Sequence, residues 1–177
     1  GPFFPYYMAD IQLNLYRPSS GRITIDGVDI NKFAVEEYWK NIGAVFQEFI
    51  QYPFDVNHNI GFGCVEKGFD SECIKDAAKK SGAYEFVSKL KNGFETNLKK
   101  GWEESTQLSL GQWQKIAISR VFMEDFPILV LDEPTASVDA RTEYELYNKI
   151  KMLINDRTCI LISHRLSTVK LVNTIFV

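Results

Sequence analysis

The run Ile128-Leu129-Val130-Leu131-Asp132-Glu133-Pro134 limits this chain more than any other stretch. Its four apolar residues read as a buried strand, and the strand delivers two carboxylates where it ends. Upstream, Leu108-Ser109-Leu110-Gly111-Gln112 reads as a turn feeding directly into a helix over Gln112–Arg120. A glycine before a helix start lets the backbone come close to a ligand. The first amides of a helix have no internal partners, and with the helix dipole they make an anion site, usually for phosphate. A phosphate-binding turn, a helix and then a strand carrying acids is a pattern suited to nucleotide hydrolysis.

The remainder of the chain alternates strand and helix signals. Ser19-Ser20-Gly21 is a turn, Arg22–Ile25 alternates as a strand, and Asp26-Gly27 is a hairpin signal returning through Val28–Ile30. Val35–Lys40 has the makings of a short helix, and Ile42–Phe46 is a buried strand ending at Gln47. From about Ile60 to Leu108 the pattern turns helical, with Ile74, Ala77 and Ala78, then Phe86, Val87 and Leu90, at helical spacing. Arg141–Ile154 is an amphipathic helix with Tyr144, Tyr147, Ile150 and Ile154 on one stripe, and Thr158–Ile162 is another buried strand ending at Ser163-His164. Leu13–Pro18 reads as a helix tail, Leu166–Leu171 as the start of a helix, and Thr174–Val177 as the start of a strand. Repeated alternation of this kind predicts a parallel sheet with helices on its faces.

Composition excludes several classes. The formal net charge of -3 gives no bulk pull toward nucleic acid or anionic lipid. Cys64, Cys73 and Cys159 are scattered, no CxxC occurs and there are only two histidines, so a zinc site is not expected and reduced thiols in a cytosolic setting are. No apolar run approaches the ~20 residues that span a bilayer. The N-terminus lacks the basic region of a signal peptide. The chain is therefore not expected to enter a membrane itself.

Gln47, Leu108–Gln112, Ile128–Glu133, Ser137-Val138-Asp139 and Ser163-His164-Arg165 follow one another in that order. Together they resemble the nucleotide-binding domain of an ATP-binding-cassette (ABC) transporter. Tyr38–Gly43 leading to Val45-Phe46-Gln47, together with Gly111–Ala117, resemble bacterial exporters, especially those of lantibiotic-type peptides. The resemblance implies one α/β domain over residues 1–177, incomplete at both ends. Its P-loop NTPase-like parallel core would carry an N-terminal antiparallel β element and an inserted helical subdomain over about 60–108. It implies ATP and Mg²⁺, a second nucleotide-binding domain as dimer partner and a membrane-spanning domain. It also implies a place at the cytoplasmic face of the cell membrane and no nucleic-acid partner.

Roles follow residue by residue. Asp132 is placed to hold magnesium directly or through water, as a hard cation that keeps its waters needs few carboxylates. Glu133 is placed to orient or deprotonate the attacking water. Alone, an Asp-Glu-Pro after a strand is as readily a solvated turn. His164 would hydrogen-bond the terminal phosphate, although a histidine at a strand end otherwise bonds backbone. Gln47 would reach the metal or the water while the following loop touches the membrane partner. Asp139 would meet the partner subunit and also fits as the N-cap of the helix over Arg141–Ile154. Ser109 and Gly111, with Gln112, would contact the terminal phosphate of ATP bound to the opposite subunit. Leu110 stands where the family usually has glycine, and its Cβ restricts φ.

One expected part does not occur in the sequence. No Gly-Lys dipeptide, the core of a P-loop, is present, and counting back puts the Lys-Ser position near Pro5-Tyr6. Chemistry that depends on phosphate positioning then predicts weak ATP binding and slow or no turnover by this chain alone. Two other readings remain: a non-catalytic partner that donates its Leu108–Gln112 turn, and a nucleic-acid-linked ATPase. The net charge and the compact helical stretch argue against the second.

Overall fold

A computed structural model describes residues 20–99, 101, 105–135, 139–154, 157–165 and 170–176. The expectations for 1–18 and 166–169, including the P-loop position, lie outside them. Residues 174–176 carry no strand, so the strand expected over Thr174–Val177 is not formed by its described part.

The antiparallel element is a hairpin of β1 (Thr24–Ile25) and β2 (Val28–Asp29), with Thr24 opposite Asp29. Asp26 and Gly27 both take positive φ, 50° and 79°. Two positive-φ central residues make the turn whose twist matches the flanking strands. β2 is a residue shorter than the sequence suggests, because Ile30 begins a 3-10 turn capped by Asp29. A short helix, α1 (Val35–Trp39), leads into the main sheet.

That sheet is β3 (Ile42–Val45), β4 (Ile128–Asp132) and β5 (Thr158–Ile162), in the order β3-β4-β5 with both pairings parallel. Side chains alternate across it. Leu129, Leu131 and Val45 face one core with Ile118, Val121, Leu146, Ile150 and Leu153. Val130 and Ile42 face the other, with Ile30 and Tyr38. Burial on both faces is why these strands read as continuous apolar runs.

Between β3 and the next helix lie α2 (Val56–Gly61), α3 (Ser71–Ser81) and α4 (Tyr84–Val87). Helix thus begins at Val56, earlier than the apolar spacing alone suggests, because Asp55 caps it by accepting from the His58 amide at 2.8 Å. α5 (Leu110–Val121) closes this cluster, packing Trp113 and Ile116 against Val56, Ile60, Ile74 and Ala78. The buried hydroxyls of Ser81 and Ser119 meet at 2.7 Å between α3 and α5. α6 (Ala140–Ile154) covers the sheet with Leu146, Ile150 and Leu153. The expected stripe holds in part: Ile150 is in this core and Ile154 packs against it. Tyr144 is 70% exposed, and Ile150 alone of the four expected residues is fully buried. Among the described residues, no helix is long and apolar enough to cross a membrane.

Gly63 passes directly against α5. A Cβ there would lie 2.1 Å from the Arg120 carbonyl oxygen and 2.6 Å from its Cα. Both are backbone and cannot step aside. Gly63→Ala should therefore lower unfolding free energy by about 1–3 kcal/mol, read by urea denaturation; an unchanged midpoint would contradict this packing. Asp70 caps α3 through bonds from the Cys73 and Glu72 amides, which hold its carboxyl below the ordinary carboxylate range. A depressed native pKa adds stability above the unfolded value, about 3.9 for aspartate, and loses it as pH falls through the native value. Asp70→Asn should flatten that acid limb in pH-dependent melting.

Candidate functional site

The parallel register aligns the C-terminal ends of β3, β4 and β5. Val45 stands opposite Leu131, and Asp132 opposite Ile162. Ligands of open α/β sheets bind at this edge. Gln47, two residues beyond β3, is exposed there. Asp132 ends β4, half-buried. Glu133 follows with φ 45°, a left-handed conformation that costs a non-glycine residue about 1–3 kcal/mol. It is held by its own amide, which donates to the Ile162 carbonyl at 2.9 Å. The Glu133 side chain is only 18% exposed, and its Oε1 lies 3.4 Å from Nε2 of His164, which is 69% exposed. The acid from β4 and the imidazole from β5 thus meet over one edge. Beyond His164, Arg165 Nη1 pairs with Glu143 Oε2 of α6 at 2.5 Å.

A second group forms a separate pocket. Ser109, Leu110, Gly111, Gln112 and Lys115 of α5 line about 280 Å³ with Asp139 and Thr142 at the start of α6. Neither Glu133 nor His164 is in its wall. The helix starts at Leu110, two residues before the expected Gln112, because Ser109 and Gln112 form a capping box. Ser109 Oγ accepts from the Gln112 amide at 3.2 Å, and Gln112 Oε1 accepts from the Ser109 amide at 2.9 Å. This leaves the Ser109 hydroxyl hydrogen and the Gln112 side-chain NH₂ as donors, beside the first helical amides of Leu110 and Gly111. Gly111 therefore sits inside the first turn rather than ahead of it. Leu110 takes the first helical position, where its Cβ meets no φ conflict, and its side chain is 45% exposed.

Asp139 makes the opposite wall and caps α6, as one of its two expected roles requires. Its Oδ1 accepts from the Arg141 and Thr142 amides, each at 3.1 Å, and its Oδ2 from the Thr142 hydroxyl at 2.7 Å. The Thr142 hydroxyl and amide bonds hold its carboxyl below the usual range. Lys115 Nζ reaches the pocket but is matched by Glu145 Oε2 at 2.8 Å, which lowers the Glu145 pKa in turn. The pocket offers hydrogen-bond donors to an anion from one wall and a carboxylate from the other. Ser137 and Val138 lie outside the described residues.

Sequence reasoning missed Lys115, Thr142, Glu143 and Gln114. Fully buried on α5, Gln114 donates from Nε2 to the Pro134 carbonyl and so ties the helix to the acidic turn. A glutamine inside an apolar helix face was the available signal, as was the Ser-x-x-Gln spacing of a capping box. Among the described residues, no three His, Cys, Asp or Glu side chains gather into a metal cage. Asp132 at a strand end suits instead a hard cation that keeps its waters. A larger groove of about 600 Å³ runs beside the pocket between Gln51, Pro53, Leu98 and Trp113, and Leu110 borders both.

Residues 8–136 match the family model described as ABC transporter. The chain is 34% identical over 92% of its length to an ATP-dependent lipid A-core flippase of Alcanivorax borkumensis, of which it covers 27%. It is 40% identical over 92% to ABC transporter B family member 1 of Dictyostelium discoideum, of which it covers 17%. The structure of a bacterial Atm1-family ABC exporter with ATP bound superposes with a TM-score of 0.79 at 32% identity, over 91% of this chain and 27% of that one. The chain thus spans about a quarter or less of these relatives. They carry the exporter resemblance but not its narrower lantibiotic form. The ordered acids of the sheet edge, the donor-lined helix start and these matches lead to one assignment: the chain belongs to the ABC transporter family.

Proposed function

We propose that this chain is part of the ATP-driven motor of an exporter, coupling hydrolysis to transport from the cytoplasmic face of the cell membrane. The carrying observation is that the donor pocket at Ser109–Gln112 and the Glu133–His164 edge have separate walls. Each is half of a site that a second nucleotide-binding domain completes. On this reading, residues 1–177 are one ABC-type domain, in which about 60–108 act as a helical subdomain with its own core.

In that reading Ser109, Gly111 and Gln112 bind the terminal phosphate of ATP held by the partner domain. Asp139 lies where the two domains meet. Asp132, with Gln47, holds Mg²⁺, which supplies charge neutralisation at the phosphates when bound. Glu133 accepts a proton from the attacking water or orients it, and its left-handed backbone aims the carboxylate out of the strand end. His164 donates to the phosphate. The membrane-spanning partner sets the cargo. The flippase among the relatives favours a lipid, whereas the resemblance of Tyr38–Gly43, Val45-Phe46-Gln47 and Gly111–Ala117 to peptide exporters favours a peptide.

The second reading is a partner that donates its Ser109 turn without holding ATP itself. The absence of a Gly-Lys dipeptide favours it. The purified 177-residue chain should show no micromolar ATP binding by calorimetry and little turnover; robust turnover would overturn the impaired-binding reading. Mixed with an intact homologous domain and ATP, it should associate, and Gly111→Asp should weaken that association at least about tenfold, or about 1.4 kcal/mol. Equal association of both forms would sink the proposed role of the Ser109 pocket.

A further inference from the structure

Arg120, in the last turn of α5, is the feature that none of the roles above uses. Its Nε donates to the Asn59 carbonyl at 2.8 Å, and its Nη2 donates to the Ile50 carbonyl at 2.9 Å and to Asn59 Oδ1 at 3.2 Å. The guanidinium lies 4.9 Å from the centre of the Tyr52 ring. Among the described residues it pairs with no carboxylate. Burial holds its pKa below the ordinary arginine value. A largely buried cation carried only by carbonyls and a ring face is expensive, and an apolar side chain of similar size would fill the space at lower cost.

The guanidinium grips the segment after Gln47 at Ile50 and Tyr52, and the helix that follows it, α2, at Asn59. Ile50 and Tyr52 lie three and five residues beyond Gln47. Asn59 is fully buried and bonds the same segment from the other side: its Nδ2 donates to the carbonyls of Tyr52, Phe54 and Asp55 at 3.0–3.2 Å, and its Oδ1 accepts from the Tyr52 amide at 3.2 Å. The side chains of Ile50 and Phe54 stay 61% and 46% exposed. The backbone is thus gripped from beneath while Ile50 stays largely exposed and Phe49 packs on the helical core. Gly63 lets the chain press onto the backbone of Arg120 itself.

We infer that Arg120, with Asn59, is a positioning residue that fixes the 48–55 segment on α5 and thereby holds Gln47 at the sheet edge. The inference rests on reading Gln47 as part of the site. It makes one rigid body of the helix that starts at Ser109 and the segment that follows Gln47.

The test uses amide hydrogen exchange of the whole chain, which needs no ATP and so separates this inference from the ATPase reading. Lysine keeps the charge of Arg120 but lacks the fork that reaches Ile50 and Asn59 together. In Arg120→Lys, exchange at Gln47 and across 48–55 should rise at least about tenfold while β4 and β5 keep their protection. In Arg120→Ala, millimolar methylguanidine should restore protection over 48–55 and methylamine should not. A uniform rise including β4 and β5, no rise, or equal rescue by both amines would overturn the inference. So would failure of both variants to fold, which would make Arg120 a residue of global stability alone.

Discussion

The burial of α5 on two sides is the constraint on which the remaining structure depends. Trp113 and Ile116 close the helical cluster, while Ile118 and Val121 close the sheet's core. A helix that buries side chains toward two separate cores has no stable place at a surface. It is therefore held as a central rod, with the sheet and α6 on one side and α2–α4 on the other. The polar residues on its inner sides make specific bonds. Ser119 meets Ser81, Gln114 meets Pro134, and Arg120 meets the Ile50–Asn59 segment. Each bond anchors a different neighbour, and burial makes each expensive to leave unmade.

From that rod the two functional groups acquire their positions by different means. The Ser109 end is set by a capping box, a local device that needs only four residues. The acidic edge is set by sheet register and by a strained backbone at Glu133, which only surrounding structure maintains. Gln114 connects the two through the turn at Pro134. The donor end is locally encoded, whereas the acidic end depends on the fold.

This difference explains what could be read from the sequence. Runs such as Ile128–Leu131 and Thr158–Ile162 carry their own signal, because burial on both faces requires apolar residues throughout. The Asp26-Gly27 turn is similarly explicit, since few residues tolerate two successive positive φ angles. The start of α5 lies two residues before the one that Gly111 suggests as a turn former, because the Ser-x-x-Gln cap outweighs the glycine. The stripe on α6 is legible in part: Ile150 and Ile154 pack as their spacing suggests, whereas Tyr144 faces solvent and Leu146 and Leu153 join the packing. The pairs Lys115–Glu145 and Arg165–Glu143 join α5 to α6 and the β5 end to α6. Their separations in sequence follow no local period, so only the folded arrangement reveals them.

Leu110 shows what such placement allows. At the first position of a helix, nearly any side chain is accepted without backbone penalty, and this one is 45% exposed. Change there alters the shape of the two concavities that it borders. The residue is a point at which the surface of the helix start can drift while the architecture stays fixed.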